Sequence, residues 1–395
     1  MGREIRRFLR GLGLTLLLVS CVVAREASGQ ARKLRLLFVG DVMAHKEQLE
    51  SAQRADGEWD FTPQFRRVKP LFRLEGEGRG GVLVTGNLET VFAGKKSGFA
   101  GYPSFNTPDD LADALTDLGV DVLTLANNHI LDRGPSGVKR TVKVLDHAGI
   151  LWTGVTAEGD EIDADDEILT AESAGLKVAF VNYSYGSNRL PASSDVHLNT
   201  LSDAAVTRGL SRARLSSADV VVACFHWGNE YQTAPTKRQR AQAALAAANG
   251  ADLVIGTHPH VLQPVEVLAS SDNDPVARRV TAYSLGNFVS YQRTPPRERS
   301  VVLAVDVEQA AEDSKARIAR VSIAPVWVSA RRANGRRLIE VVYAGESPRF
   351  NHAGLPAQEL AAAREAGKAV LEFLGAAESA DAEGFYTLWD EREQR

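Results

Sequence analysis

The feature that most restricts this chain is a series of short, almost wholly apolar runs of strand length. Leu34–Val39, Val82–Thr85, Val120–Leu125, Lys177–Asn182, Asp219–Phe225, Asp252–Ile255, Val280–Leu285 and Val301–Val307 are rich in β-branched residues. Most lack polar alternation, the pattern of strands covered on both faces. Helical patterns lie between several of them. In Thr107–Leu118, Thr107 is placed as an N-cap, Pro108 opens the helix, Asp109 and Asp110 favour its first turn, and Leu111, Leu115 and Leu118 share one face. Val138, Val142 and Leu145 repeat the pattern ahead of Gly149, and Thr236–Asn249 gives a further helix. Strands alternating with helices predict an α/β fold with mostly parallel pairing. From about Arg279 strand follows strand, which predicts a second, more antiparallel sheet. A segment from Leu355, with Leu360, Val370, Leu371 and Leu374, predicts a terminal helix.

Composition narrows the class. Of 395 residues, 44% are hydrophobic and 24% charged, which suits a folded core and excludes a disordered chain. A net charge of −4 gives no general pull toward nucleic acid, so no nucleic-acid partner is expected. The N-terminus carries a basic head, Arg3, Arg6, Arg7 and Arg10, before an apolar stretch from Leu12 to Val23. This is the layout of an export signal, too short for a comfortable membrane span. Leu18-Val19-Ser20-Cys21 fits a lipoprotein cleavage box with Cys21 as the lipidated residue, and Ala27-Ser28-Gly29 offers an ordinary processing site. An uncleaved anchor is the third alternative. Residues 1–30 are therefore read as a signal peptide or lipoprotein signal of a periplasmic or cell-envelope protein, attached through a lipid or N-terminal anchor or released. Residues 34–330 are read as the main domain and 331–395 as a C-terminal extension. Cys224 lies in an apolar run and reads as a small buried hydrophobe.

Hard ligand residues fall where the strands end. The runs close in Gly40-Asp41, Gly86-Asn87-Leu88-Glu89, Asn127-Asn128-His129, His226-Trp227-Gly228-Asn229-Glu230 and His258-Pro259-His260. The carboxyl ends of strands in an α/β sheet share one rim, where ligands bind. Carboxylate, amide and imidazole groups without thiolates suit Mn²⁺, Fe²⁺ or Zn²⁺. Each residue alone also has a plainer role: Asp41 as a turn or cap, Asn127 and Asn128 in a self-bonded turn, His226 as a core histidine. Their common position at strand ends favours a metal site. Pro259 biases His258 toward an extended backbone. His45, His147, His197 and His352 have no strand-end context and read as surface or packing residues.

The ordered set Gly40-Asp41-Val42-Met43, Asn87-Leu88-Glu89, Asn127-Asn128-His129-x-x-Asp132-x-Gly134, His226-Trp227-Gly228-x-Glu230, Gly256-Thr257-His258-Pro259-His260-Val261-Leu262-Gln263 and Ser284-Leu285-Gly286-Asn287-Phe288 closely resembles the CapA family. These are poly-γ-glutamate capsule biosynthesis proteins within the calcineurin-like metallophosphoesterase superfamily. The resemblance covers about Leu34 to Val328. It implies a four-layer α-β-β-α sandwich of the metallo-dependent phosphatase type, with two divalent metal ions at the strand ends. By position, Asp41 and His260 would bind one ion; Asn128, His226 and His258 the other. Glu89, or failing it Asn87, would bridge them, and His129 would act as general acid oriented by Asp132. Met43 and Asn87 stand where the wider superfamily has His and Asp, as they do in CapA proteins. A neutral amide bridges dications poorly, which favours Glu89 and suggests one ion held firmly and the second weakly.

Three functions follow from the resemblance. One is an exported protein of poly-γ-glutamate capsule synthesis, export or anchoring, acting on an anionic polymer whose amide bond lies within reach of the same hydrolytic chemistry. The others are a periplasmic phosphoesterase with no capsule role and a non-catalytic partner of membrane synthase subunits. Arg66, Arg67, Lys69 and Arg73, with Arg293, Arg297 and Arg299, form either basic rims for a polyanion or a solvated charged face.

Overall fold

The computed structural model describes residues 31–73, 81–157, 168–189, 196–271, 274–310, 314–350 and 352–393. The signal read at residues 1–30, with Cys21, lies outside them. One sheet contains β1 (Arg32–Val42), β2 (Val82–Leu88), β3 (Val122–Thr124) and β4 (Leu151–Thr153), paired in parallel in that order. On the other side of β1 lie β14 (Arg299–Gln309), β15 (Arg317–Ala333) and β16 (Arg336–Tyr343), all antiparallel. With β13 (Asn287–Val289) beside β1 and β17 (Tyr386–Asp390) beside β15, this sheet has nine strands.

A six-stranded sheet holds β6 (Ile168–Ser173), β7 (Leu176–Ser184), β9 (Val220–His226), β10 (Leu253–Thr257), β12 (Asp274–Ala282) and β11 (Val265–Ser271), in that spatial order. Within it β7, β9, β10 and β12 run parallel.

The two-residue period of a strand divides the apolar side chains between two cores. From β7 and β9, Val178, Phe180, Val220, Val222 and Cys224 join Leu36 and Phe38 of β1 in the core between the sheets. Their alternates Ala179, Val181, Tyr183, Val221, Ala223 and Phe225 pack instead on Val206 and Leu210 of α5 (Asp203–Leu215) and on Ala243 and Ala246 of α6 (Lys237–Ala248). Crossovers from β2 to β3 and from β3 to β4 advance in one direction, so right-handed connections set their helices on one face. These are α3 (Asp110–Leu118) and α4 (Gly134–Ala148), whose Leu111, Leu115, Val138 and Leu145 are buried against the nine-stranded sheet's core. The result is the α-β-β-α sandwich that the motifs imply.

Two details differ from the sequence reading. The antiparallel strands after Arg279 do not form a sheet of their own: β14 pairs with β1 from Arg32↔Gln309 to Phe38↔Leu303 and extends the first sheet. Residues 331–393 complete β15 and add β16, α7 (Ala357–Leu374) and β17. Helix α3 begins at Asp110 with Asp109 at its cap; Thr107 is drawn away because its hydroxyl bonds that of Thr90 at 2.7 Å. Among the described residues no helix is long and apolar enough to cross a membrane.

Candidate metal centre

The carboxyl ends of β1, β2, β3, β9 and β10 bring Asp41, Asn87, Glu89, Asn128, His226, His258 and His260 together, all buried. Close backbone approach makes this possible. Gly40 lies against the loop before β13, where a Cβ would sit 1.8 Å from the Gly286 carbonyl oxygen; the Asp41 N–H donates to that same oxygen at 3.0 Å.

Two overlapping groups form the centre. Ligand atoms of Asp41, Glu89 and His260 lie within 4.8 Å of one another, and so do those of Glu89, His226 and His258. Glu89 belongs to both, with Oε1 3.7 Å from His260 Nε2 and 3.9 Å from His226 Nε2. His226 Nε2 is 2.8 Å from Asn128 Oδ1, and His260 Nδ1 is 3.1 Å from Asp41 Oδ2. Asn87 turns its amide nitrogen to the carboxylates, donating to Asp41 Oδ1 at 2.8 Å and to Glu89 Oε2 at 3.4 Å. Its oxygen instead faces Thr124 Oγ1 at 3.3 Å and Asn127 Nδ2 at 3.4 Å.

Electrostatics follow from burial. Glu89 is pushed well above the ordinary carboxylate range by burial and then by Asp41. His226 is pushed well down by burial and by the neighbouring His258. His258 is lowered to about 4 for the same reasons, with His260 as the neighbour. These imidazoles are therefore neutral, the form that offers a lone pair to a cation. Buried Glu89 Oε1 and His258 Nδ1 have no hydrogen-bond partner among the described residues. Buried polar atoms are normally paired, and a divalent cation would satisfy both. The donor set fits such ions.

His129 lies beside this cluster. Its Nδ1 is 2.8 Å from Asp132 Oδ2, which also accepts the Phe105 N–H at 2.7 Å. Its Nε2 is 3.5 Å from Asn188 Nδ2, and its ring packs edge-on against Phe105. His147 and His197 are exposed and His352 is half-buried, outside the ligand groups. His45 packs edge-on against Phe105, and its Nδ1 accepts the Tyr291 N–H at 3.3 Å.

The His258-Pro259-His260 loop departs from the extended shape expected before proline. His258 has φ 95° and His260 φ 59°, both in the left-handed region. Three contacts hold the loop there. The His258 N–H donates to Asp41 Oδ2 at 3.3 Å, Pro259 O accepts the Tyr231 N–H at 2.7 Å, and His260 O accepts from Asn287 Nδ2 at 3.3 Å.

Four further residues border the centre. Exposed Glu230 brings a carboxylate within 4.8 Å of His258 and His260. Asn287 Oδ1 is 3.0 Å from His260 Nδ1. Tyr185 packs on His258 with ring centroids 4.6 Å apart, and the Asn188 N–H donates to Asn128 O at 2.8 Å. Glu230 and Asn287 belong to the quoted motifs without an assigned role. Tyr185 and Asn188 follow the end of β7, a strand end whose loop carries no motif; its Tyr-Gly-Ser-Asn composition is the one available signal.

Fold and centre together define a class: a two-sheet α/β sandwich with buried carboxylate, amide and imidazole ligands at the strand ends. Residues 35–292 match the model of the bacterial capsule synthesis protein family PGA_cap, and the chain belongs to that family. The capsule biosynthesis protein CapA of Bacillus anthracis is 29% identical over 281 residues, covering 68% of this chain and 62% of the relative. The PGA biosynthesis protein CapA of Bacillus subtilis strain 168 is 29% identical over 269 residues, covering 64% and 62%. The chain thus spans less than two thirds of either relative's length. Among solved structures, NAD nucleotidase of Haemophilus influenzae aligns at 15% identity and a TM-score of 0.46, covering 86% of this chain and 63% of that one.

Proposed function

We propose that this chain is an exported protein of poly-γ-glutamate capsule assembly, working on an anionic polymer through a centre of divalent cations. The observation that carries the reading is the buried ligand cluster, with lone pairs at Glu89 and His258 that find no partner among the described residues, in a chain of the PGA_cap family. Asp41 and His260 would hold one ion and Asn128, His226 and His258 a second, with Glu89 between them. The amide orientation of Asn87 supports Glu89 as the bridge, because its oxygen is engaged elsewhere. Mn²⁺, Fe²⁺ or Zn²⁺ suit these donors. When bound, such ions supply Lewis acidity and a water of lowered pKa.

The chain's own residues do the rest. The Asp132 carboxylate accepts from His129 Nδ1–H and stabilises the doubly protonated ring, the form whose Nε2–H would pass a proton to a leaving group. Asn188 holds the loop after β7 against Asn128 and His129. This buried dyad favours hydrolysis of an amide or phosphoester bond over a purely structural metal site. The leader at residues 1–30 supports export, with attachment to the membrane, and a membrane synthase is the expected partner.

Elemental analysis of the wild type, Asp41→Ala and His258→Ala, beside assays on a generic phosphodiester and on poly-γ-glutamate, tests the proposal. The expected result is metal in the wild type, lost with turnover in both variants. Metal lost while activity persists would make the ions structural. A wild type that binds none would overturn the proposal.

A further inference from the structure

We propose that Arg297 is the residue that grips an oxyanion of the substrate, carboxylate or phosphate, beside the metal centre. The inference rests on the metal-centre reading above. The basic residues around Arg67 and Arg297 are, by sequence, either polyanion rims or solvated charge.

Most of them are occupied elsewhere. Arg67 Nε donates to Glu340 Oε1 at 2.8 Å, Arg66 lies 3.9 Å from the same oxygen, and Lys69 pairs with Asp117. These contacts tie the chain after the short helix α2 (Thr62–Phe65) to β16 and α3. Arg293 donates to the Val328 carbonyl and lies over Trp327, and Arg299 pairs with Glu298 at 3.3 Å. Arg297 differs. Its guanidinium lies 3.4 Å above the centre of the Tyr231 ring, and no carboxylate among the described residues pairs with it.

Both ends of Arg297 are linked, through Tyr231 and Asn287, to the His258-Pro259-His260 loop. The Tyr231 ring that carries the guanidinium is 6.1 Å from the His260 ring, and the Tyr231 N–H bonds to Pro259 O at 2.7 Å. Tyr231 itself sits in the left-handed region, φ 65°, so this loop is held against its local preference. At the other end, Asn287 Nδ2 donates to the Arg297 carbonyl at 3.0 Å, while Asn287 Oδ1 meets His260 Nδ1 at 3.0 Å. A guanidinium stacked on a ring keeps its in-plane N–H fork, which matches the two oxygens of a carboxylate or phosphate. Fixed in advance, it loses little freedom on binding.

The test is calorimetric binding to manganese-loaded protein, with inorganic phosphate and a γ-linked glutamate pentamer as separate probes. Arg297→Gln is expected to raise Kd about 10- to 100-fold, as for a lost charge-assisted hydrogen bond. Arg297→Lys should lose less. Tyr231→Leu should weaken binding about 2- to 5-fold, as for a partly exposed cation–π contact, and Tyr231→Phe should not. Arg66→Gln serves as the control and should leave both constants unchanged, and all variants should keep wild-type metal content. Weakening of the phosphate alone or of the pentamer alone supports the inference and identifies the source of the oxyanion. If Arg297→Gln binds both probes as tightly as the wild type, the inference is overturned. A metal-loaded wild type that binds neither probe overturns the inference alone; a wild type that takes up no metal brings down the metal-centre reading as well.

Discussion

Replacing Glu89 by glutamine should stabilise the metal-free protein and remove most of the stabilisation that metal brings. Glu89 is fully buried, and its Oε1 has no partner among the described residues. Its ligand atom lies within 4.8 Å of those of Asp41 and His260. At that separation two full charges repel by about 3.5 kcal/mol with an effective dielectric constant of about 20. The alternative is to hold a proton. Keeping a carboxyl protonated at pH 7, against an unfolded pKa of about 4.3, costs about 3.7 kcal/mol. Either route makes the empty site expensive by roughly 3–4 kcal/mol. Glutamine keeps the shape and removes the charge, but leaves a buried amide with few partners, which returns about 1–2 kcal/mol. Metal-free Glu89→Gln should therefore exceed the metal-free wild type by about 2 kcal/mol at pH 7 in urea unfolding with a chelator present. The pH dependence has a definite sign. Because the folded pKa of Glu89 is raised, the native state binds a proton that the unfolded chain releases above about pH 4.3. Metal-free stability thus falls as pH climbs toward the folded pKa, by about 1.4 kcal/mol per unit, and the variant should lack this slope. Manganese at a hundredfold excess over Kd should then add about 2.7 kcal/mol to the wild type and little to the variant. Equal stabilisation of both by manganese, or a metal-free variant no more stable than the wild type, would refute the reasoning.

Four other substitutions separate the parts of the centre and its surroundings. His129→Ala and Asp132→Asn should each lower turnover about 10²- to 10⁴-fold without changing metal content, measured on whichever substrate the wild type cleaves; metal lost in parallel would place His129 among the ligands. Asn287→Ala should weaken metal binding about 10- to 100-fold in competition with a chelating dye, because Asn287 Oδ1 no longer orients the His260 ring. His45 is pushed down to about 4 by burial, so the unfolded chain takes up its proton first as the medium is acidified. That contribution to stability is complete above about pH 6.5 and disappears on acidification toward the folded value, by up to about 3 kcal/mol. Urea titrations of His45→Gln at neutral pH and near pH 4.5 should show that much less acid sensitivity than the wild type.

What could be read from the sequence was whatever short-range pattern controls. The strands of both parallel segments appear because buried strands need continuous apolar runs, and Asp41, Glu89, Asn128, His226, His258 and His260 were recognisable as a set because each follows such a run. Sheet membership was not readable. Val301–Val307 looks the same whether it starts a new sheet or extends an old one, and only its pairing with β1 decides. The helix start at Asp110 is not legible in the local pattern because Thr107 takes a tertiary partner, the Thr90 hydroxyl, over the local cap. Arg297 is undifferentiated in sequence among seven basic residues, since the partners that occupy Arg66, Arg67, Lys69 and Arg299, namely Glu340, Asp117 and Glu298, come from distant elements or turn only when the chain is folded.

The His258-Pro259-His260 loop is where local preference and global arrangement conflict most. Residues ahead of proline favour extended backbone, yet His258 has φ 95°, and His260 follows at 59°. Left-handed conformations in non-glycine residues cost about 1–3 kcal/mol each and persist only where their surroundings over-determine them. Here the surroundings do so from three directions: β1 through Asp41, the loop after β9 through Tyr231, and the strand beside β1 through Asn287. The same contacts aim ligand groups at the cluster. Asp41 receives the His258 N–H, Tyr231 supports Arg297, and Asn287 orients His260. A loop that obeyed its own φ preferences would give up those attachments, so the strain and the site have one cause.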